Sequence, residues 1–214
     1  MNRTKIKMQA KLALKGNVFM FFLTILLVSL MTSVSMFFVL GFLLLPIFNV
    51  GLYLIGKDLL EGKPFKFERL FEPFKDFDQL IKYVAAGLLV GLIIGVGLIL
   101  LIVPGIILAL ALSQTLYLLA DDKDLKIMDS LKESYNLMNG YKLDLFVFYL
   151  SFIGHYLLVI ITFGFYLIYF LPYLNLSLYN YYLNLVRPLK EEQKPEEIET
   201  VEAEIMNWKN KNLH

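Results

Sequence analysis

Polar and apolar positions along this chain separate into long blocks. Residues 16–56, 83–120 and 145–186 contain no Asp, Glu, Lys or Arg, and each block is about twice the roughly 20 helical residues that cross a bilayer. A single helix of about 40 residues would be about 60 Å long, against a hydrocarbon core of about 30 Å. Each block is therefore predicted to fold back near its middle. Turn formers stand there: Ser33 and Ser35 with Gly41 as an alternative bend, Pro104-Gly105, and Gly164. The pattern predicts an all-α integral membrane protein with six transmembrane helices paired as three hairpins. The second span is the least regular, because Pro46, Asn49, Gly51 and Gly56 interrupt it; short, kinked and re-entrant forms all fit.

The charged segments between the blocks have patterns of their own. Phe67, Leu70, Phe71, Phe74, Phe77 and Ile81 recur at helical spacing over 64–81, with Pro73 placed to break that helix and start another. Met128, Leu131, Tyr135 and Met138 make a second amphipathic stripe over 125–139. Such helices lie at the headgroup level or cover the end of a helix bundle. The acidic tail carries a third stripe, Ile198, Val201, Ile205 and Trp208. Leu70-x-Glu72-x-Phe74 matches Leu131-x-Glu133-x-Tyr135, and Leu14-Lys15-Gly16 matches Met138-Asn139-Gly140. These matches divide one membrane domain, 1–186, into expected repeat units 1–56, 57–120 and 121–186, followed by an acidic cytoplasmic tail, 187–214. Each unit holds two spans, so the copies share one orientation.

Charge sets the threading. All Lys and Arg lie in the amino terminus, the 57–82 loop, the 121–144 loop and the tail, and five cations with no acidic neighbour precede residue 16. Positive charge near spans stays cytoplasmic, so both termini and both loops are expected inside a cell membrane. The first block runs on past Ser33-Val34-Ser35 and exceeds the apolar core of a cleaved signal; a first span is expected. The net charge of +1 gives no reason to expect nucleic acid, and with no cysteine there is no thiolate metal site or Cys nucleophile. No cofactor, no metal and no catalytic residue is expected. Heavy use of Lys, Ile, Asn, Phe and Tyr hints at a bacterial source of low GC content.

A few intramembrane residues carry chemistry. His155 is the only ionisable group, tyrosines apart, deep in a block, and such residues are functional candidates by default; a neutral imidazole bonded to a neighbouring helix is the simpler reading. Asn49, Gln114 and Asn175 could line a polar path with it, although such amides more often bond helix to helix. Gly87, Gly91 and Gly95 form a helix-packing face, for a neighbouring helix of the same chain or for a second copy. Asp121-Asp122-x-Asp124 reads as a solvated cap rather than a cation site. The outermost tyrosines of the last span read as an aromatic belt.

The run Leu131-Lys-Glu-Ser134-Tyr-Asn-Leu-Met138-Asn-Gly140-Tyr-Lys142, then Leu145-Phe146, Leu150-Ser-Phe-Ile-Gly154 and Leu171-Pro-Tyr173, resembles the domain-of-unknown-function 975 family of bacterial multi-pass membrane proteins. Val103-Pro-Gly-Ile-Ile107 and Leu14-Lys-Gly-Asn17 agree with it. The family usually has Trp where this chain has His155, which argues against a shared catalytic role there. More loosely, the family is similar to the membrane part of some glycerophosphodiester phosphodiesterases, whose catalytic domain has no counterpart in these residues. The expected function is a non-enzymatic membrane protein, an accessory or envelope-stress factor, whose partners are the lipid bilayer and a second copy or another membrane protein. The alternative is a small transporter or channel for a neutral or lipid-like solute.

Overall fold

The computed structural model describes the backbone of residues 3–36 and 40–188. The tail stripe at 198–208 and residues 37–39, between the bends expected at Ser33-Ser35 and at Gly41, lie outside the described residues. Among the described residues ten α-helices follow in order: α1 Arg3–Ala13, α2 Val18–Met36, α3 Leu40–Leu60, α4 Phe77–Leu100, α5 Ile102–Ala111, α6 Thr115–Asp121, α7 Ile127–Leu137, α8 Lys142–Leu150, α9 Ile153–Ile161 and α10 over residues 167–188. Among the described residues there is no strand. Among the described residues four helical stretches are long and apolar enough to cross a membrane: Leu43–Leu60, Phe77–Leu100, Ile102–Asp121 and Lys142–Ile161. The pair Arg3–Ala13 and Val18–Met31, bent by 95°, makes five if counted as one span. The expected sixth segment, α10, is not among them.

The chain breaks its apolar blocks where turn chemistry allows. Leu101 is extended between α4 and α5, and Pro104 falls in the first turn of α5, where its missing N–H costs nothing. Gly97 and Gly105 then let the two helices touch: a Cβ on Gly97 would lie 3.1 Å from the Gly105 Cα. Between α9 and α10, Phe163 and Gly164 both adopt positive φ, 50° and 90°. α4 is started by Asp76, whose carboxylate accepts from the Asp78 and Gln79 amides at 3.1 and 3.2 Å. That cap corrects the expected break at Pro73, which is buried inside a short 3₁₀ helix, Phe67–Phe74. The 3₁₀ helix does both things its stripe allows. Leu70 is fully buried against α3, while Phe67 and Phe71 stay exposed.

Which helices form the interior was not legible in hydropathy. The irregular span is the central one: 61% of Leu43–Leu60 is buried inside the protein, against 17% for Phe77–Leu100 and 17% for Lys142–Ile161. α3 packs on α1, α2, the 3₁₀ helix, α4 and α6. α10 is its counterpart, with Phe170, Leu176, Tyr179, Tyr181 and Tyr182 each at 1% exposure or less. A helix enclosed by other helices has no need to be uniformly apolar, because its polar groups meet protein partners instead of hydrocarbon. That accounts for the glycines of α3. Gly51 sits against the backbone of Leu70, and Gly56 against the Tyr179 ring.

Two turns are alike bond for bond. In one, Leu14 donates to Ala10 O at 3.1 Å, Asn17 to Leu14 O at 2.9 Å and Phe21 to Asn17 O at 2.9 Å; in the other, Met138 donates to Ser134 O at 3.0 Å, Tyr141 to Met138 O at 3.1 Å and Leu145 to Tyr141 O at 2.9 Å. Gly16 and Gly140 hold the same left-handed conformation, φ 88° and 79°. Leu14 and Met138 are both buried.

Candidate functional site

Three carboxylates are gathered at the charged end of the bundle, each close to the edge of a charge-free block. Asp121, at the end of α6, has a side chain only 5% exposed. It accepts from Tyr53 at 2.9 Å, from Tyr182 at 3.2 Å and from the Lys57 ammonium. Asp58, at the end of α3, takes Arg69 Nε at 2.7 Å and Nη2 at 3.2 Å, with Lys63 3.5 Å away. Asp144, in the first turn of α8, takes Arg3 Nε at 2.8 Å and the Tyr181 hydroxyl at 3.1 Å. These bonds join α1, α3, α6, α8 and α10 with the 57–82 segment. Gln79 Nε2 and Lys82 Nζ reach the Lys123 carbonyl at 2.8 and 2.6 Å, and Asn180 reaches the Ile6 carbonyl at 3.0 Å. The amino terminus and both charged loops therefore lie at one end of the molecule.

Directly below Asp121 the interior is filled by tyrosine rings. Tyr53 stacks on Tyr117 with centroids 4.8 Å apart, and Tyr182 lies 5.7 Å from Tyr53 and 5.3 Å from Tyr117. Tyr179 closes the cluster at 5.6 Å from both Tyr53 and Tyr117. Tyr181 and Tyr182, at the charged end of the last span, correct the belt reading: with Tyr179 they are core, burying their rings and sending hydroxyls to Asp144, Asp121 and, from Tyr179, Asn175. The two bonds to the carboxylates are charge-assisted, and such bonds are the strong ones.

The residues singled out from the sequence are dispersed. Asn49 is exposed and donates to Leu45 O of its own helix at 2.9 Å. Asn175 does the same to Leu171 O at 2.9 Å and accepts from Tyr179 at 3.2 Å. His155 Nδ1 lies 2.8 Å from the Tyr166 hydroxyl, and its ring is near-parallel to Phe170 at 5.5 Å. That slot takes a flat ring, which a tryptophan would also supply. Gln114 is buried where α5 breaks into α6. Its backbone N–H donates to Ser134 Oγ at 3.3 Å, and Ser134 Oγ donates to Ala111 O at 2.8 Å, so one hydroxyl from α7 satisfies two backbone groups at the break. Gln114 Oε1 has no partner among the described residues. Of the three glycines, Gly87 packs on the ring of Pro46 in α3; Gly91 and Gly95 meet nothing within 4 Å.

Asp121 corrects the solvated-cap reading, since its side chain is buried and α7 has Lys126 at its N-cap with no side-chain bond. Asp122 only closes a local turn, accepting from the Asp124 amide at 2.9 Å. Among the described residues no group of His, Cys, Asp or Glu could hold a metal ion. The grooves are open and lie at the surface. One of about 880 Å³ runs between α7 and the end of α10, past Asp129, Lys132, Glu133 and Asn184. One of about 480 Å³ lies beside α1 at Arg3, Lys7, Lys11, Ser151 and Tyr173. A third, about 560 Å³ and almost wholly apolar, opens outward between α3 and α4 at Ile47, Val84 and Leu88. None of these touches Asn49, Gln114, His155 or Asn175.

The model of one protein family, described as a protein of unknown function (DUF975), matches residues 1–188. The chain belongs to the DUF975 family. The match ends with the last described turn of α10, so the matched part takes in every described helix, the three carboxylates and the tyrosine cluster. No curated protein and no solved structure matches. What the sequence reading missed was Asp58, Asp121 and Asp144 as joints. The signal was there: Asp121 and Asp144 directly flank charge-free blocks and Asp58 lies two residues beyond one. A carboxylate held at the edge of a span needs a partner at the same depth.

Proposed function

We propose that the chain is a non-enzymatic, six-span membrane protein that acts through its cytoplasmic end as an accessory factor. α2 and α10, of 19 and 22 residues, supply the spans beyond the four apolar stretches, and the six pair as three hairpins. α10 is less apolar because protein surrounds it. Gathering of the charged segments at one end supports placing both termini on the cytoplasmic side. Three parallel units are supported by the twin turns at Gly16 and Gly140. They are supported too by Tyr53, Tyr117 and Tyr182, one from each unit at near-equal spacing, whose rings meet.

The observation that carries the non-transport reading is the tyrosine cluster, which fills the centre where a path between hairpins would run. Asp58, Asp121 and Asp144 are each held by cations, as joints are, and none faces a cavity as a free acid or base. A transporter of a lipid-like solute is the second reading, favoured by the outward apolar groove at Ile47 and Val84. Liposomes containing the full chain are expected to be as tight as protein-free ones to glycerol and sugars, followed by stopped-flow light scattering. A solute flux that saturates and needs the protein favours transport.

A further inference from the structure

We propose that the groove beside α1 binds the phosphate of a net-anionic phospholipid headgroup. Arg3, Lys7 and Lys11 are four residues apart and so share one face of α1. They line the groove opposite Ser151 and Tyr173. α1 leaves α2 at 95°. With α2 crossing the bilayer, α1 runs along its surface, at the depth of the phosphates.

The cations are not used up by the protein. Asp144, the carboxylate that Arg3 meets, does not line the groove and is already held by Arg3 and Tyr181. Arg3 spends Nε and Nη2 on it, out of five N–H donors. Lys7 has no carboxylate within ion-pair distance among the described residues. Its ammonium donates to Ser151 O at 3.0 Å and sits 3.8 Å over the Phe152 ring. Burial lowers its hold on a proton, the mark of a cation lacking a counter-charge. Lys11 is exposed and likewise makes no ion pair among the described residues. A phosphate entering from the membrane side supplies the missing anion. Met8 and Leu12, 63% and 61% exposed on the same helix, give acyl chains an apolar surface, which points to a lipid rather than to free phosphate.

The site rests on the reading that α1 lies at the membrane surface, but binding in detergent does not depend on sidedness, so a wrong threading and a wrong site fail in different experiments. The test is native mass spectrometry of the full chain in neutral detergent, titrated with phosphatidylglycerol, phosphatidylcholine of the same chains, and sodium phosphate. Phosphatidylglycerol is expected to bind at least about fivefold more tightly than phosphatidylcholine, the worth of roughly one lysine near an anionic headgroup. K7Q/K11Q is expected to lose about thirtyfold in phosphatidylglycerol affinity, two such contributions. K7R/K11R and the distant K75Q/K132Q keep the preference. Equal binding of the two lipids overturns the proposal, as does a K7Q/K11Q protein that holds phosphatidylglycerol like the original, or loss of the preference in K7R/K11R. Sodium phosphate binding as tightly as the lipid overturns the lipid assignment.

Discussion

Asp121→Ala is expected to destabilise the protein by about 3 kcal/mol, the lower end of what breaking a buried ion pair from one side costs. The substitution strands the Lys57 ammonium and the hydroxyls of Tyr53 and Tyr182, which all converge on that carboxylate. The lower end applies because the Lys57 side chain is 26% exposed and recovers some hydration. Adding Lys57→Met removes the stranded charge, so K57M/D121A is expected to be more stable than D121A alone. A coupling of about 1–2 kcal/mol fits residues in direct contact. Helix content in detergent, followed by circular dichroism as sodium dodecyl sulfate is added, measures both. If D121A unfolds where the original protein does, the carboxylate is not a joint.

Gly51→Leu is expected to cost about 3 kcal/mol, the top of the usual overpacking range. A Cβ at Gly51 would stand 2.4 Å from the Leu70 carbonyl oxygen and 3.0 Å from its Cα. These are backbone atoms, and no side-chain rotation relieves the clash. The 3₁₀ helix must lift from α3, taking with it the Arg69–Asp58 bonds. Gly91→Leu is the control, with nothing within 4 Å of the added Cβ; a change within about 0.5 kcal/mol is expected there. The same detergent titration separates the two. Equal losses would mean that the close approach of Gly51 to the Leu70 backbone does not set the packing of α3.

The contrast between those glycines shows where sequence reasoning stops. Gly87, Gly91 and Gly95 are equivalent as a stripe, yet only Gly87 touches a partner, the Pro46 ring. Spacing places residues on a face but does not say what the face meets. The breaks were legible, because Leu101 and residues 162–166 fall at the middles of their blocks beside Pro104 and Gly164. The helix around Leu131 was legible for the same local reason, but only half of its stripe is buried: Leu131 and Met138 are, whereas Met128 and Tyr135 are exposed and Ser130 and Ser134 take their place inside. The interior was not. α3 read as the least regular span and α10 falls outside the four apolar stretches, because hydropathy scores a helix against lipid, whereas these two are solvated by other helices. Tyr182 bonding to Asp121, or Arg3 to Asp144, depends on residues far apart in the chain, and no local pattern encodes such a pairing. His155 stood out as a rare ionisable group, yet its ring is occupied by Tyr166 and Phe170, whereas the polar work is done by carboxylates at the block edges.

Sidedness is the claim on which the cytoplasmic role and the positions of the charged loops depend. The chain contains no cysteine, so single cysteines at Asp76, Lys132 and Phe163 can be probed in intact cells with a membrane-impermeant maleimide. Phe163 sits in the turn between α9 and α10 and is 94% exposed. Six spans with the charged end inside predict labelling at 163 from outside, and labelling at 76 and 132 only after the cells are opened. Reaction at 76 or 132 in intact cells as readily as at 163 contradicts the threading.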